Sequence, residues 1–183
     1  MPSKFQINQA ASIIHNEGII AYPTESVYGL GCDPLSETAV TAILQLKHRP
    51  LEKGLIIIAA SLQQLQPYID ITPDQAKTIT QYTRAMTWLV KKSIHTPPWI
   101  SGKHPKIAIR VSQHPLVKQL CQRLQHPIVS TSANPSGAKP AVSAFQSRRY
   151  FKNQVNMYLN GKTGELKQPT PITDLQNNRQ IRE

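Results

Sequence analysis

Gly54 to Ala60 reads GLIIIAA, a run of apolar residues with no polar position to face water. A strand with one wet face alternates apolar and polar residues. An unbroken run this short, bounded by turn residues, belongs to a strand covered on both faces. The chain must therefore place layers on both sides of a sheet, and the segments around this run supply them. Apolar residues recur at helical spacing from Asn8 to Glu17 and stop at Gly18, and Ile19 to Tyr22 then forms a short buried strand halted by Pro23. Ser36 caps a helix reaching about Lys47, with Val40, Ile43 and Leu44 along its inner stripe. A capped helix starts at Ser61, and Thr72-Pro73-Asp74 opens another, with threonine as cap and proline at the first helical position. Strands are expected at 87–91, 106–111, 127–130, 155–159, 172–175 and 180–182, and helices at 115–124 and 143–150. Helices and strands interleave throughout. The fold class is α/β (or α+β), one domain over residues 1–183, built on a mixed sheet flanked by helices.

Composition narrows the function. Lys and Arg number 21 against 10 Asp and Glu, a formal charge of +11, which favours an anionic partner such as a nucleotide or RNA. Basic clusters at Lys91-Lys92, Lys103 to Lys106 and Arg148-Arg149 with Lys152 carry little aromatic interleaving of the kind that stacks bases. The two cysteines, Cys32 and Cys121, form no CxxC pair, so reduced thiols are expected and no metal site. Neither a signal peptide nor an 18-residue apolar run is legible, so the expectation is a cytoplasmic protein without a membrane partner.

Two nucleotide motifs fail. Gly161-Lys162-Thr163 mimics the end of a P-loop, but Asn156 stands where its first glycine belongs, and Gly29 and Gly31 lack the third glycine of a dinucleotide fingerprint. Three other stretches are richer. In AYPTESVYGLGCDP, residues 21–34, a strand runs straight into Thr24, Glu25, Ser26 and Tyr28, with glycines allowing unusual dihedrals and close ligand approach. In KHRPLEKGL, residues 47–55, a helix ends and Pro50 biases Arg49 towards extended backbone, which lets Lys47, Arg49 and Lys53 converge on one anion. In PIVSTSANPSGAK, residues 127–139, a buried strand breaks into Ser130, Thr131, Ser132 and Asn134, all of which need polar partners.

Together with IAIRVSQHPL and the ending ITDLQNNRQIRE, these stretches resemble the YrdC-like family, in particular its single-domain TsaC threonylcarbamoyl-AMP synthases. The resemblance implies an open, twisted sheet with a basic concave face. It also implies a reaction joining L-threonine, bicarbonate or CO2, and ATP into threonylcarbamoyl-AMP with loss of pyrophosphate, for the threonylcarbamoyladenosine modification of tRNA completed by partner proteins. Carried over residue by residue, it puts Lys47, Arg49, Lys53, Ser132, Asn134 and Arg182 on ATP, with Lys47 and Arg49 stabilising charge. It puts Thr24, Arg110, Ser130 and Thr170 on threonine, and Arg110 would grip the carboxylate. Mg2+ would accompany ATP, and no side chain is assigned as general base. Three places depart from the family's usual pattern: Glu25-Ser26 for Asp-Thr, Arg84-Ala85-Met86 for Pro-Gly-Pro, and Pro169-Thr170-Pro171 for Pro-Ser-Thr. The net charge keeps open an RNA-binding or ribosome-maturation module without turnover. A carbamoyl-transfer accessory domain is disfavoured by the chain's length.

Overall fold

The computed structural model describes residues 2–166 and 168–182. Within them, nine strands form one mixed sheet: β1 (Ile20–Pro23), β2 (Tyr28–Gly31), β3 (Ile56–Ala59), β4 (Thr87–Lys91), β5 (Lys106–Val111), β6 (Ile128–Ser132), β7 (Met157–Tyr158), β8 (Ile172–Asp174) and β9 (Gln180–Arg182). Their spatial order is β7-β1-β2-β6-β3-β5-β4-β8-β9. Seven helices flank them: α1 (Lys4–His15), α2 (Glu37–Lys47), α3 (Leu62–Leu65), α4 (Pro73–Gln81), α5 (Pro98–Ser101), α6 (Pro115–Leu124) and α7 (Ala144–Phe151). Among the described residues no helix is long and apolar enough to cross a membrane.

Local chemistry explains the helix ends. α1 begins four residues before the expected Asn8 because the Ser3 side chain accepts from the Gln6 amide while the Gln6 side chain accepts from that of Ser3. This reciprocal box satisfies two donors that a helix start leaves bare, and Thr72 with Gln75 repeats it at α4. α2 has Ser36 as its cap and stops at His48, which takes a left-handed conformation at φ 49°.

Alternation along the central strands builds two cores. Ile57 and Ala59 of β3, Val129 of β6, and Ile107 and Ile109 of β5 join Val40 and Ile43 of α2 and Phe151 of α7 on one face. Ile58 of β3, Ile128 of β6, and Ile20 and Tyr22 of β1 join Ile7, Ala10 and Ile14 of α1 and Leu116, Val117 and Leu120 of α6 on the other. That two-sided burial is why the run at Gly54 to Ala60 is apolar at every position; each buried isoleucine contributes about 1.5–3 kcal/mol. Cys32 and Cys121 are free buried thiols in different cores.

One expectation needs correction. Tyr28–Gly31 is a buried strand paired with both β1 and β6, and neither Gly29 nor Gly31 adopts a positive φ. Glycine is needed there for space: a Cβ on Gly31 would lie 2.7 Å from the Tyr22 ring and 2.8 Å from the Val129 carbonyl. The expected strand at 155–159 shrinks to Met157–Tyr158.

Candidate active site

The face of the sheet that carries Ile58 and Ile128 is covered by α1 and α6 along only part of its length. Arg110 on β5 stands in the same row as Ile58 and Ile128; one alternation further along, that face carries Ile56 on β3, Ala108 on β5 and Ser130 on β6, with Ser132 beyond, and here a cavity of about 550 Å³ opens. The register leaves no other arrangement: Ile56 pairs with Ala108 and Ser130, and Ile58 with Arg110 and Ile128. β6 thus changes from isoleucine under the helices to serine in the cavity within one step along its face. Gly29 of β2 stands beside Ser130, where a Cβ would lie 3.4 Å from the Ser130 hydroxyl and 3.3 Å from the Thr24 methyl.

Arg49, Lys53, Lys106, Arg110 and Arg182 line this space, and no carboxylate does among the described residues. Lys106 is neutralised by Asp174 at 2.6 Å. Arg110 is buried and held from two sides. Its Nε and Nη2 donate to Thr87 Oγ1 at 3.0 and 2.9 Å, and its Nη1 donates to Glu25 Oε2 at 3.1 Å. Glu25 in turn accepts from Ser112 Oγ at 2.5 Å and from the Gln113 amide at 3.3 Å. Burial alone would raise the Glu25 pKa, but the Arg110 charge and the Ser112 hydroxyl outweigh it and hold the carboxyl below its ordinary value.

The two loops that frame the opposite wall are joined through one buried cation. Lys47, the last residue of α2, donates from Nζ to the Ser132 carbonyl and, at 2.7 Å, to the Asn134 carbonyl. Its own carbonyl accepts from the Ser136 amide at 2.8 Å. Burial, and then the neighbouring Arg49 charge, bring the Lys47 pKa down to about 8. Arg49 follows the left-handed residue and donates to the Gly54 carbonyl at 2.9 Å, while its Nε is buried without an acceptor among the described residues. The Asn134 amide nitrogen donates to the carbonyls of Pro135 and Ala138 at 2.9 and 2.7 Å, and its Oδ1 has no partner among the described residues.

Of the ten residues singled out from the sequence, Thr24, Arg49, Lys53, Arg110, Ser130, Ser132, Thr170 and Arg182 line the one cavity. Lys47 and Asn134 do not; they stand behind the lining, locked to each other. Thr24 Oγ1 donates to the Val27 carbonyl at 2.8 Å, Tyr22 donates to Ser130 Oγ at 2.9 Å, and Arg182 donates to the Thr170 carbonyl at 2.6 Å. The Thr170 hydroxyl is buried with no partner among the described residues. The support around Arg110 was missed: Thr87 opens an apolar strand, and a lone hydroxyl there is a weak signal, while Glu25 and Arg110 meet across 85 positions of chain. Gly161-Lys162-Thr163 leads into no helix; Gly164 lies against Glu25, with its amide donating to the Thr24 carbonyl at 2.9 Å.

Comparison with known proteins gives a family model and a series of similar proteins and structures. The Sua5/YciO/YrdC model, described as "Telomere recombination", matches residues 12–183. A threonylcarbamoyl-AMP synthase of Marinobacter nauticus is 42% identical over 184 residues, covering 99% of this chain and 97% of that one. One of Cellvibrio japonicus is 44% identical over 172 residues, covering 93% and 91%. The crystal structure of P. abyssi Sua5 complexed with L-threonine superposes with a TM-score of 0.90 at 30% identity over 97% of this chain. The chain spans 53% of that structure's length.

Proposed function

The chain belongs to the Sua5/YciO/YrdC family, and from that premise we propose that it acts as a threonylcarbamoyl-AMP synthase, converting L-threonine, bicarbonate or CO2, and ATP to threonylcarbamoyl-AMP and pyrophosphate. The observation that carries the reading is a single cavity lined by Arg49, Lys53, Arg110 and Arg182 together with the hydroxyls of Ser130, Ser132 and Thr170, and by no carboxylate among the described residues. Such a lining suits two anionic reactants that must meet.

Threonine's amine and CO2 form a carbamate, one of whose oxygens attacks the α-phosphorus of ATP. The bond from that phosphorus to the oxygen bridging towards the β-phosphate breaks, and pyrophosphate leaves. Both reactants are anions, so the protein's task is to overcome their repulsion and align them; no protein nucleophile is needed. Arg110 suits the threonine carboxylate by donor count. A guanidinium has five N–H groups; three are engaged with Thr87 and Glu25, which leaves one on each terminal nitrogen, the number a two-pronged carboxylate contact uses. L-threonine bound to P. abyssi Sua5 supports putting the amino acid in this fold. Thr24, Ser130 and the unpartnered Thr170 hydroxyl are its further contacts.

Arg49, Lys53 and Arg182 take the phosphates, and Ser132 donates beside them. Lys47 acts from behind: its ammonium has three N–H groups, two on carbonyls, so its charge and one remaining donor serve the site while it holds the Ser132–Asn134 loop in place. Asn134 contributes through that loop. Magnesium enters as part of the ATP substrate, since among the described residues the lining has no carboxylate to hold a hard cation. The adenylate then serves tRNA threonylcarbamoylation with partner proteins, in the cytoplasm, where ATP and tRNA are found. Selection of threonine over serine rests on one methyl group, a discrimination of about 1–3 kcal/mol.

The test is pyrophosphate release by purified protein given ATP, bicarbonate and single amino acids. Release that needs both L-threonine and bicarbonate is expected. RNA binding with no such turnover would replace this reading with the RNA-binding module.

A further inference from the structure

Five cations line one cavity, yet two kinds of anion must sort themselves within it, and two of the five, Lys106 and Arg110, are already paired with carboxylates. Arg49, Lys53 and Arg182 have no carboxylate within ion-pair distance among the described residues. Arg110 has Glu25 on Nη1, with both groups of that pair only 7% exposed. Thr87 occupies the Nε side of the same guanidinium, and Glu25 is itself fixed by Ser112 and the Gln113 amide. The plane and rotation of the guanidinium are therefore set before any ligand arrives, and its charge is matched by a buried opposite charge. A buried charge interacts far more strongly than an exposed one, so Glu25 acts on whatever approaches Arg110.

We propose that Glu25 is a positioning and specificity residue: with Thr87 it aims the two unspent N–H groups of Arg110 at a carboxylate, and its negative charge keeps phosphate groups off Arg110, so that the triphosphate settles on Arg49, Lys53 and Arg182. This inference rests on the reading of the cavity as a site for both threonine and ATP, and adds how it tells their anionic groups apart. A singly charged carboxylate meets a nearly neutral Glu25–Arg110 unit through two directed hydrogen bonds. A phosphate can accept the same planar fork, but it carries more negative charge and is repelled more strongly by Glu25 behind Arg110. The three cations without a buried carboxylate present the reverse preference.

The experiment compares the wild type with Glu25→Gln, Thr87→Val and Thr87→Ser, each checked for folding by thermal melt. It reads L-threonine binding by calorimetry, KM for threonine and for ATP, and inhibition by inorganic phosphate. Glu25→Gln keeps the shape and removes the charge. It is expected to weaken threonine binding about tenfold, to leave KM for ATP within about twofold, and to make phosphate compete with threonine, while no such competition is expected in the wild type. Thr87→Val is expected to weaken threonine binding without admitting phosphate, and Thr87→Ser to restore it. Equal loss for threonine and ATP would mark Glu25 as merely structural and overturn the proposal, as would phosphate competing in the wild type. If Glu25→Gln does not fold, the Thr87 pair decides: unchanged threonine binding in Thr87→Val rejects the aiming of Arg110. Wild-type protein that neither binds threonine nor releases pyrophosphate with it would instead reject the parent reading, and this inference with it.

Discussion

Two halves of one sheet face, built from the same strands, have opposite fates. Under α1 and α6, the face presents Ile20, Tyr22, Ile58 and Ile128, all at 0% exposure. Arg110 stands at the boundary, in the row of Ile58 and Ile128, and one alternation along β3, β5 and β6 the face presents Ile56, Ala108 and Ser130, then Ser132, around an open cavity. Backbone pairing continues without interruption, so the difference lies wholly in side chains and in where the helices stop. A buried sheet supplies rigidity, and the uncovered half inherits it: polar groups there stand on strands whose other face is packed core. Function occupies the place where covering ends, and it needs no separate scaffold.

That division can be broken from either side, and the largest effect is expected in the covered half. Ile58→Ala should lower unfolding free energy by about 2–5 kcal/mol in a urea melt while pyrophosphate release per folded molecule stays near wild type. A loss of activity without a loss of stability would mean that the two halves are not separable. Arg49→Ala should do the opposite: catalytic efficiency falls about tenfold to a hundredfold, the worth of one charge-assisted contact of about 1.5–3 kcal/mol, with the melt little changed.

Lys47 sharpens the boundary because it belongs to both sides. It is buried like a core residue, and it holds the carbonyls of Ser132 and Asn134. Lys47→Ala should cost stability as well as turnover, where Arg49→Ala costs turnover alone. Its lowered pKa has a further consequence. Lys47 is charged below about pH 8 and loses the proton above it, so turnover should decline as pH rises through that value. The sign for stability is opposite. Between about 8 and the ordinary lysine value the unfolded chain binds a proton that the folded chain does not, so folding gains stability as pH rises across that window. A pH–rate profile beside melts at the same pH values reads both. The smallest effect is expected at the exposed pair of Asp70 and Lys91, whose side chains are 57% and 71% exposed and 2.5 Å apart. Asp70→Asn should change stability by less than about 1 kcal/mol and leave turnover untouched.

Much of this was legible in the sequence, and the reasons are local. GLIIIAA announced a strand covered on both faces; Ser36 and Thr72-Pro73 announced helix starts; and the breaks at Thr24, Arg49 and Ser130 marked polar groups just past apolar runs. What escaped depends on contacts no window contains. β2 was hidden because two of its four residues are glycines, poor strand formers by propensity, needed beneath the Tyr22 ring and beside Ser130. Lys47 and Arg49 are two residues apart and look alike on paper, but only the second lies beyond the helix end and reaches the cavity. The grip of Glu25 and Thr87 on Arg110 joins three distant strand ends, and only the sheet register brings them together. For the replacement of Pro-Gly-Pro by Arg84-Ala85-Met86 the structure shows Met86 packed against the core and accepting from Thr173 at 3.5 Å, and gives no account of its effect on the site.

The central claim, that the uncovered half of the sheet face holds the amino acid and the nucleotide side by side, is tested most directly by a crystal structure with L-threonine and a non-hydrolysable ATP analogue soaked together. The account predicts the threonine carboxylate on Arg110 and the phosphates on Arg49, Lys53 and Arg182, both ligands against β3, β5 and β6. Either ligand bound outside that cavity, or phosphates seated on Arg110, would contradict it.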